Sequence, residues 1–216
     1  MKIKTFTFNP FQENTYILYD KTKECIIIDP GCYTEKEKET IKEFILTNKL
    51  NPIKLINTHC HIDHILGNHF TSKLWNLDLY IHKKDFPLLQ NAKEISKTYG
   101  FDAYESSPNP KYFLEEGEVL IFGETKLKIL FTPGHAPGHI CLHNEEQNII
   151  IGGDLIFREG IGRFDLPGGD YNVLIQSIKE KILPLAEETQ IFCGHGPTTT
   201  IGYEKKNNPF LKEQLI

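Results

Sequence analysis

His59-Cys60-His61-Ile62-Asp63-His64 spells H-x-H-x-D-H, three imidazoles and a carboxylate within six positions. Neutral imidazole suits zinc and iron, and a carboxylate can bridge to a second ion. The cluster follows directly on the apolar run Pro52-Ile53-Lys54-Leu55-Ile56-Asn57. A strand that ends in a dense His/Asp loop presents ligands readily, because the backbone turns there and neighbouring side chains can enter one pocket. The chain has only nine His, so three of them within six positions are poorly explained by packing. Cys60 alternates with its His neighbours and is expected to point away from them.

Further candidates stand where later apolar runs end. Thr132-Pro133-Gly134-His135 follows Phe131, Gly152-Gly153-Asp154 follows Ile149-Ile150-Ile151, and Cys193-Gly194-His195-Gly196 follows Ile191-Phe192. Each is a strand-like run, a glycine and one ligand type. Glycine lets the chain turn tightly and the backbone approach an ion. Together the candidates are five His and two Asp, enough for two metal ions with a carboxylate bridge and positions left open for water.

The elements that must position these residues follow from periodicity and turn chemistry. Strands are expected at 2–8, 15–19 and 25–28, the last stopped by Asp29-Pro30-Gly31. Apolar residues at helical spacing predict a helix over 35–48. A helical stretch at 84–99 and a loop at Ser106-Ser107-Pro108-Asn109-Pro110 come next. Hairpins are expected from 118–122 with 126–131, and from 140–143 with 148–151. A helix over 171–182, ended by Pro184, and a short strand over 190–193 complete the pattern. Strand runs with helices between and after them point to two sheets covered by helices, an α/β class.

Composition excludes several functions. The 216 residues make one domain spanning 1–216, with 39% hydrophobic and 25% charged residues, an ordinary globular profile. A net charge of -5 opposes a nucleic-acid partner. No run of eighteen apolar residues exists, so no membrane span is expected. The start alternates polar and apolar residues and has no signal-peptide apolar region. Five scattered cysteines without C-x-x-C pairs favour free thiols and a reducing cytoplasm.

The ordered series His59/His61/Asp63/His64, His135, Asp154 and His195, with Asp29 at the end of an early strand, resembles the metallo-β-lactamase superfamily over nearly the whole chain. Within it the chain looks like the short glyoxalase II-type (hydroxyacylglutathione hydrolase-like) group. The residues that carry this are Asn14-Thr15-Tyr16, the run from Thr132 to His139, Gly153-Asp154, Gly162-Arg163-Phe164-Asp165, the run from Gly194 to Thr200, and Asn208-Pro209-Phe210. The resemblance implies a four-layer αββα sandwich. It implies one metal held by His59, His61 and His135, a second held by Asp63, His64 and His195, and Asp154 bridging them. Asp29 would tie down the ligand loop. His69, His82, His139 and His143 match no ligand position and read as surface, core or supporting residues.

The chemistry implied is hydrolysis of a small-molecule thioester, S-lactoylglutathione being the type, by a metal-bound hydroxide. Two divalent cations, zinc foremost with iron or manganese as alternatives, lower the pKa of a shared water. One cation stabilises the oxyanion. Asp63 is the catalytic residue, orienting the hydroxide and taking its proton while ligating. Arg163 and Asp165 either brace their loop as an ion pair or reach the substrate. The alternative is a mononuclear iron persulfide dioxygenase acting on glutathione persulfide, a relative that shares the G-R-x-D token. A metal-binding module without turnover is a third reading, opposed by the complete ligand set. Long glyoxalase II enzymes hold glutathione with a helical C-terminal domain, whereas about 21 residues follow His195 here, and Gly196-Pro197 stand where those enzymes place an aromatic. Lys83, Lys84, Tyr99, Phe101 and Tyr104 form either part of a cap or an exposed supporting helix. A monomer or homodimer is expected.

Overall fold

The alternating stretch at the start forms β1 (Lys2–Phe8), which pairs antiparallel with β2 (Glu13–Tyr19). β2 pairs antiparallel with β3 (Glu24–Ile28). Helix α1 (Glu35–Thr47) then returns the chain, so that β4 (Asn51–Ile56) lies parallel to β3. Thr34 and Glu37 start α1 as a reciprocal capping box. Its inward face carries Ile41 and Ile45, each contributing roughly 1.5–3 kcal/mol by burial. Two short helices absent from the sequence expectations, α2 (Ile62–Ile65) and α3 (Asn68–Trp75), lead to β5 (Leu79–Ile81). A 3₁₀ turn (Lys83–Asp85) and α4 (Phe86–Thr98) precede β6 (Tyr112–Phe113). β5 is parallel to β4 and β6 to β5, giving the sheet order β1-β2-β3-β4-β5-β6.

The computed structural model describes residues 1–212. Residues 213–216, which the single-domain expectation also includes, lie outside the described residues. Chain contacts form two units, Met1–Leu114 with Ile121–Thr125, and Glu115–Leu120 with Lys126–Ile216.

The second sheet has the order β14-β13-β10-β9-β8-β7. Its strands are β7 (Val119–Phe122), β8 (Thr125–Phe131), β9 (Ile140–Asn144), β10 (Ile149–Gly153), β13 (Gln190–Cys193) and β14 (Thr199–Thr200). A small hairpin, β11 (Ile156–Phe157) with β12 (Gly160–Ile161), follows β10. The helices are α5 (Tyr171–Ser177), α6 (Ile201–Asn207) and α7 (Pro209–Lys212). The single helix expected over 171–182 is corrected: α5 gives way to a π-helical turn, Ile178–Ile182. There the Leu183 N–H donates to the Ile178 carbonyl, five residues back. Pro184 comes next and cannot continue an α-helical ladder.

Parallel pairing decides where the ligand candidates emerge. β3, β4 and β5 run the same way, so their carboxyl ends leave the first sheet at one edge. Those ends carry Asp29, the H-x-H-x-D-H loop and the 82–85 turn. In the second sheet β10 and β13 are parallel, and β8, two antiparallel steps from β10, shares their direction. Their ends carry Asp154, His195 and His135. Each unit has its own apolar core, one built around Ile17, Ile27, Ile41 and Leu55, the other around Ile150, Leu174, Ile178 and Ile191. Among the described residues no helix is long and apolar enough to cross a membrane.

Candidate functional site

In the first unit, the loop after β4 is held through its backbone. Asp29, at the end of β3 with φ 48°, accepts from the Thr58 N–H (2.7 Å) and the Thr58 hydroxyl (2.6 Å). Aspartate tolerates this left-handed backbone better than most residues. The Thr58 hydroxyl in turn lies 3.1 Å from His59 Nδ1. Because that hydroxyl donates to Asp29, the network assigns the proton to His59 Nδ1, and Nε2 carries the lone pair. His64 Nδ1 faces Asp29 Oδ2 at 3.2 Å, which assigns the same tautomer to His64. The ligand-type atoms of Asp29, His59 and His64 all lie within 4.8 Å of one another.

His61 begins α2 as its N-terminal flanking residue, and Asp63 lies in the helix's first turn. The His59 and His61 rings meet edge to face at 4.8 Å, and the His59 and His64 rings lie 4.1 Å apart. Asp63 Oδ2 is 3.5 Å from His64 Nε2. His59 and His64 are buried, whereas His61 and Asp63 are partly exposed. The Asn57 amide donates to the His64 carbonyl (3.1 Å), and Asn9 of the β1–β2 turn donates to the Asp63 carbonyl (3.0 Å). The Cys60 N–H donates to Asp85 Oδ2 at 2.7 Å. The Cys60 side chain packs in the apolar core, as its alternation predicts. Gly31 packs so closely that a Cβ there would meet Glu13 Oε2 at 2.0 Å and the Asp63 carbonyl at 2.6 Å. Glu13 itself is fully buried, and burial pushes its carboxyl well up, with the His64 ring as a smaller opposing influence.

In the second unit, His135, Asp154 and His195 come together. Asp154 Oδ2 lies 3.5 Å from His135 Nε2 and 3.4 Å from His195 Nε2. His135 Nδ1 donates to the Arg163 carbonyl at 2.7 Å, again assigning the lone pair to Nε2. Gly162 makes that approach feasible, since a Cβ there would stand 1.8 Å from the Asp154 carbonyl and 3.1 Å from His135 Nδ1. A register shift between β10 and β13, after Ile151, turns the chain just before Asp154. His139, unassigned by motif, is fully buried and supports Asp154. Its Nε2 accepts from the Asp154 N–H (3.1 Å), while Nδ1 meets the Thr132 hydroxyl (2.9 Å).

These separations suit ion binding better than direct pairing. Charge-assisted hydrogen bonds run about 2.7–2.9 Å. Donor atoms placed about 2.0–2.1 Å from a tetrahedral ion stand about 3.3 Å apart. The carboxylate–imidazole distances of 3.4–3.5 Å in both units fall near the second spacing. The nitrogen and oxygen donor set therefore fits divalent metal ions.

Arg163 and Asp165 form the two-pronged ion pair expected of a loop brace, with bonds of 2.8 and 2.9 Å. Arg163 holds the Asp165 carboxyl down at about 2. Two of the cap candidates are corrected, since Phe101 and Tyr104 are buried in the first core. Tyr99 remains exposed against Phe11. Lys83 and Lys84 lie in the 3₁₀ turn. Sequence reasoning missed Asp85, Asn57 and Asn9. Asp85 and Asn9 act on the loop's backbone from distant segments and Asn57 from just before the loop, and no local spacing signals these bonds.

Comparisons with known proteins follow the same lines. A model of the metallo-beta-lactamase superfamily matches residues 8–195. Hydroxyacylglutathione hydrolase GloC of Haemophilus influenzae is 37% identical over 219 residues, covering 99% of this chain and 100% of that protein. The crystal structure of the BLEG-1 B3 metallo-beta-lactamase is 34% identical with a TM-score of 0.89, covering 97% of this chain and 99% of that one. The crystal structure of TTHA1623 in a di-iron-bound form is 36% identical with a TM-score of 0.87, covering 96% of this chain and 100% of that one.

Proposed function

Because the chain belongs to the metallo-β-lactamase superfamily and has its α/β fold, we propose that it is a metal-dependent hydrolase of thioesters, glutathione thioesters among them. The observation that carries this reading is the set of oriented imidazoles. His59, His64 and His135 each have Nδ1 engaged by an oxygen, which leaves Nε2 as the atom each offers to an ion. In this proposal His59, His61 and His135 hold one ion, Asp63, His64 and His195 hold the second, and Asp154 bridges. Zinc is the first candidate, with iron and manganese as alternatives; a relative of known structure is a di-iron form. When bound, two such cations lower the pKa of a shared water toward neutrality and polarise a thioester carbonyl.

The chain's own residues do the rest. Asp63, partly exposed at the start of α2, orients the attacking water and accepts its proton at the carboxylate. Asp29 keeps the His59 ring in one tautomer through Thr58, and the His64 ring directly. A thiolate leaves without a strong general acid, so no further acidic side chain is required. Hydroxyacylglutathione hydrolase activity in a full-length relative at 37% identity supports the thioester class.

The test reconstitutes the protein separately with zinc, iron and manganese. Elemental analysis is followed by a thioester panel that includes S-lactoylglutathione, and by oxygen uptake with glutathione persulfide. Up to two bound ions and thioester cleavage are expected. Persulfide-dependent oxygen consumption by the iron form, with no thioester cleavage in any metal form, would transfer the assignment to a dioxygenase.

A further inference from the structure

We propose that Asp85 is a positioning residue for the metal ligands, acting on the peptide between His59 and Cys60. The inference rests on the metal-dependent reading above.

Asp85 is fully buried where the 3₁₀ turn meets α4. An aspartate at a helix start normally accepts from the helix's own first amides. Here the Asp85 side chain makes no such bond. Its Oδ2 instead accepts from the Cys60 N–H at 2.7 Å, across 25 residues of sequence. That length lies at the short end of the N–H···O range.

The geometry gives this bond a specific effect. Asp29 holds the Thr58 N–H at 2.7 Å, and Asp85 holds the Cys60 N–H at the same distance. His59 lies between two anchored amides, each tied to a buried carboxylate at the end of a neighbouring parallel strand. The Cys60 bond sets the peptide plane that follows His59, the Thr58 bond sets the plane one residue further back, and the Thr58 hydroxyl holds the ring, so the His59 Cα–Cβ direction is confined from both sides. Cys60 anchors the opposite face in the core. Loss of Asp85 frees one peptide plane and leaves a buried N–H unsatisfied. The ligand then spends part of its time misaligned, and supporting contacts of this kind are worth about 10–100-fold in metal affinity.

The experiment measures zinc affinity by chelator competition, the visible spectrum of the cobalt form, and thermal melting of the metal-free protein. Asp85→Ala should bind zinc about 10–100-fold more weakly and shift the cobalt spectrum. Asp85→Asn, whose amide oxygen still accepts from the Cys60 N–H, should restore both to near wild type. If Asp85→Ala fails to fold, Asp85→Glu carries the test. It keeps the charge but moves the acceptor by one methylene, and should weaken zinc binding while folding. Wild-type zinc affinity and an unchanged cobalt spectrum in a folded Asp85→Ala or Asp85→Glu protein overturn the proposal, even if the metal-free melting point falls. So does an Asp85→Asn protein as weak as Asp85→Ala. A wild-type chain that binds no metal sinks this inference together with the function it rests on. A wild type that binds metal but cleaves no thioester sinks only the function.

Discussion

Asp154 and His59 should respond differently to removal, because the proposed ligand set has Asp154 serve two ions and His59 only one. Asp154 Oδ2 stands 3.5 Å from His135 Nε2 and 3.4 Å from His195 Nε2, and its backbone is held by His139. In the proposed ligand set this carboxylate offsets charge on two cations and sets their spacing. Asp154→Ala is therefore expected to lower the content of both ions, whereas His59→Ala should empty mainly one. Elemental analysis of the reconstituted variants checks this, and two full equivalents in Asp154→Ala would remove the bridge from the assignment. The same scale explains why Gly162 stands where it does. A side chain at that position would occupy the space of the Asp154 carbonyl, so even alanine must move the loop that holds His135.

At the scale of elements, a single carboxylate pins the turn between β7 and β8. Asp20 accepts from the Thr22 N–H and hydroxyl, the Glu124 N–H and the Thr125 hydroxyl. Partial burial pushes its pKa up, but these four bonds outweigh it and hold the group at about 2. An unfolded aspartate titrates near about 3.9. The folded state therefore binds its proton more weakly, and the stabilisation is complete above about pH 4 and lost as pH falls toward about 2. Asp20→Ala should lower stability at neutral pH and make little difference near pH ~2. Denaturant melts of both proteins at the two pH values give the answer, and an equal gap at both would show that the carboxylate's charge is irrelevant to the turn.

For the whole molecule, the five cysteines are all buried and none forms a disulfide among the described residues. Burial pushes the Cys25 thiol up to about 12 and raises Cys32 further. Since the thiolate is the reactive form, the native protein should be inert to thiol reagents. Titration with an aromatic disulfide reagent is expected to find close to no reactive thiols in the native state and all five after denaturation. Rapid modification of the native protein would mean that one of these cores opens readily. The acidic balance, with a net charge of -5, fits a small-molecule enzyme better than a polyanion binder.

The sequence by itself determined the candidate ligand residues, their order and most of the elements beneath them. Alternation in 2–8 and helical spacing in 35–48 match β1 and α1 because both elements bury one regular face. Strand-end tokens such as Gly134-His135 were legible because turns need glycine and follow apolar runs. What only the tertiary structure decided is which partner each candidate residue has. Parallel pairing of β3, β4 and β5 brings Asp29 and Asp85 to a loop 25 or more residues away in sequence. Hydrogen bonds between strand ends leave no periodic trace in a sequence, so the tautomers of His59, His64 and His135 were unreadable there. The short helices α2 and α3 were unreadable for a related reason: the backbone at 62–75 is held by contacts such as Asn57 to the His64 carbonyl, which local propensity does not encode.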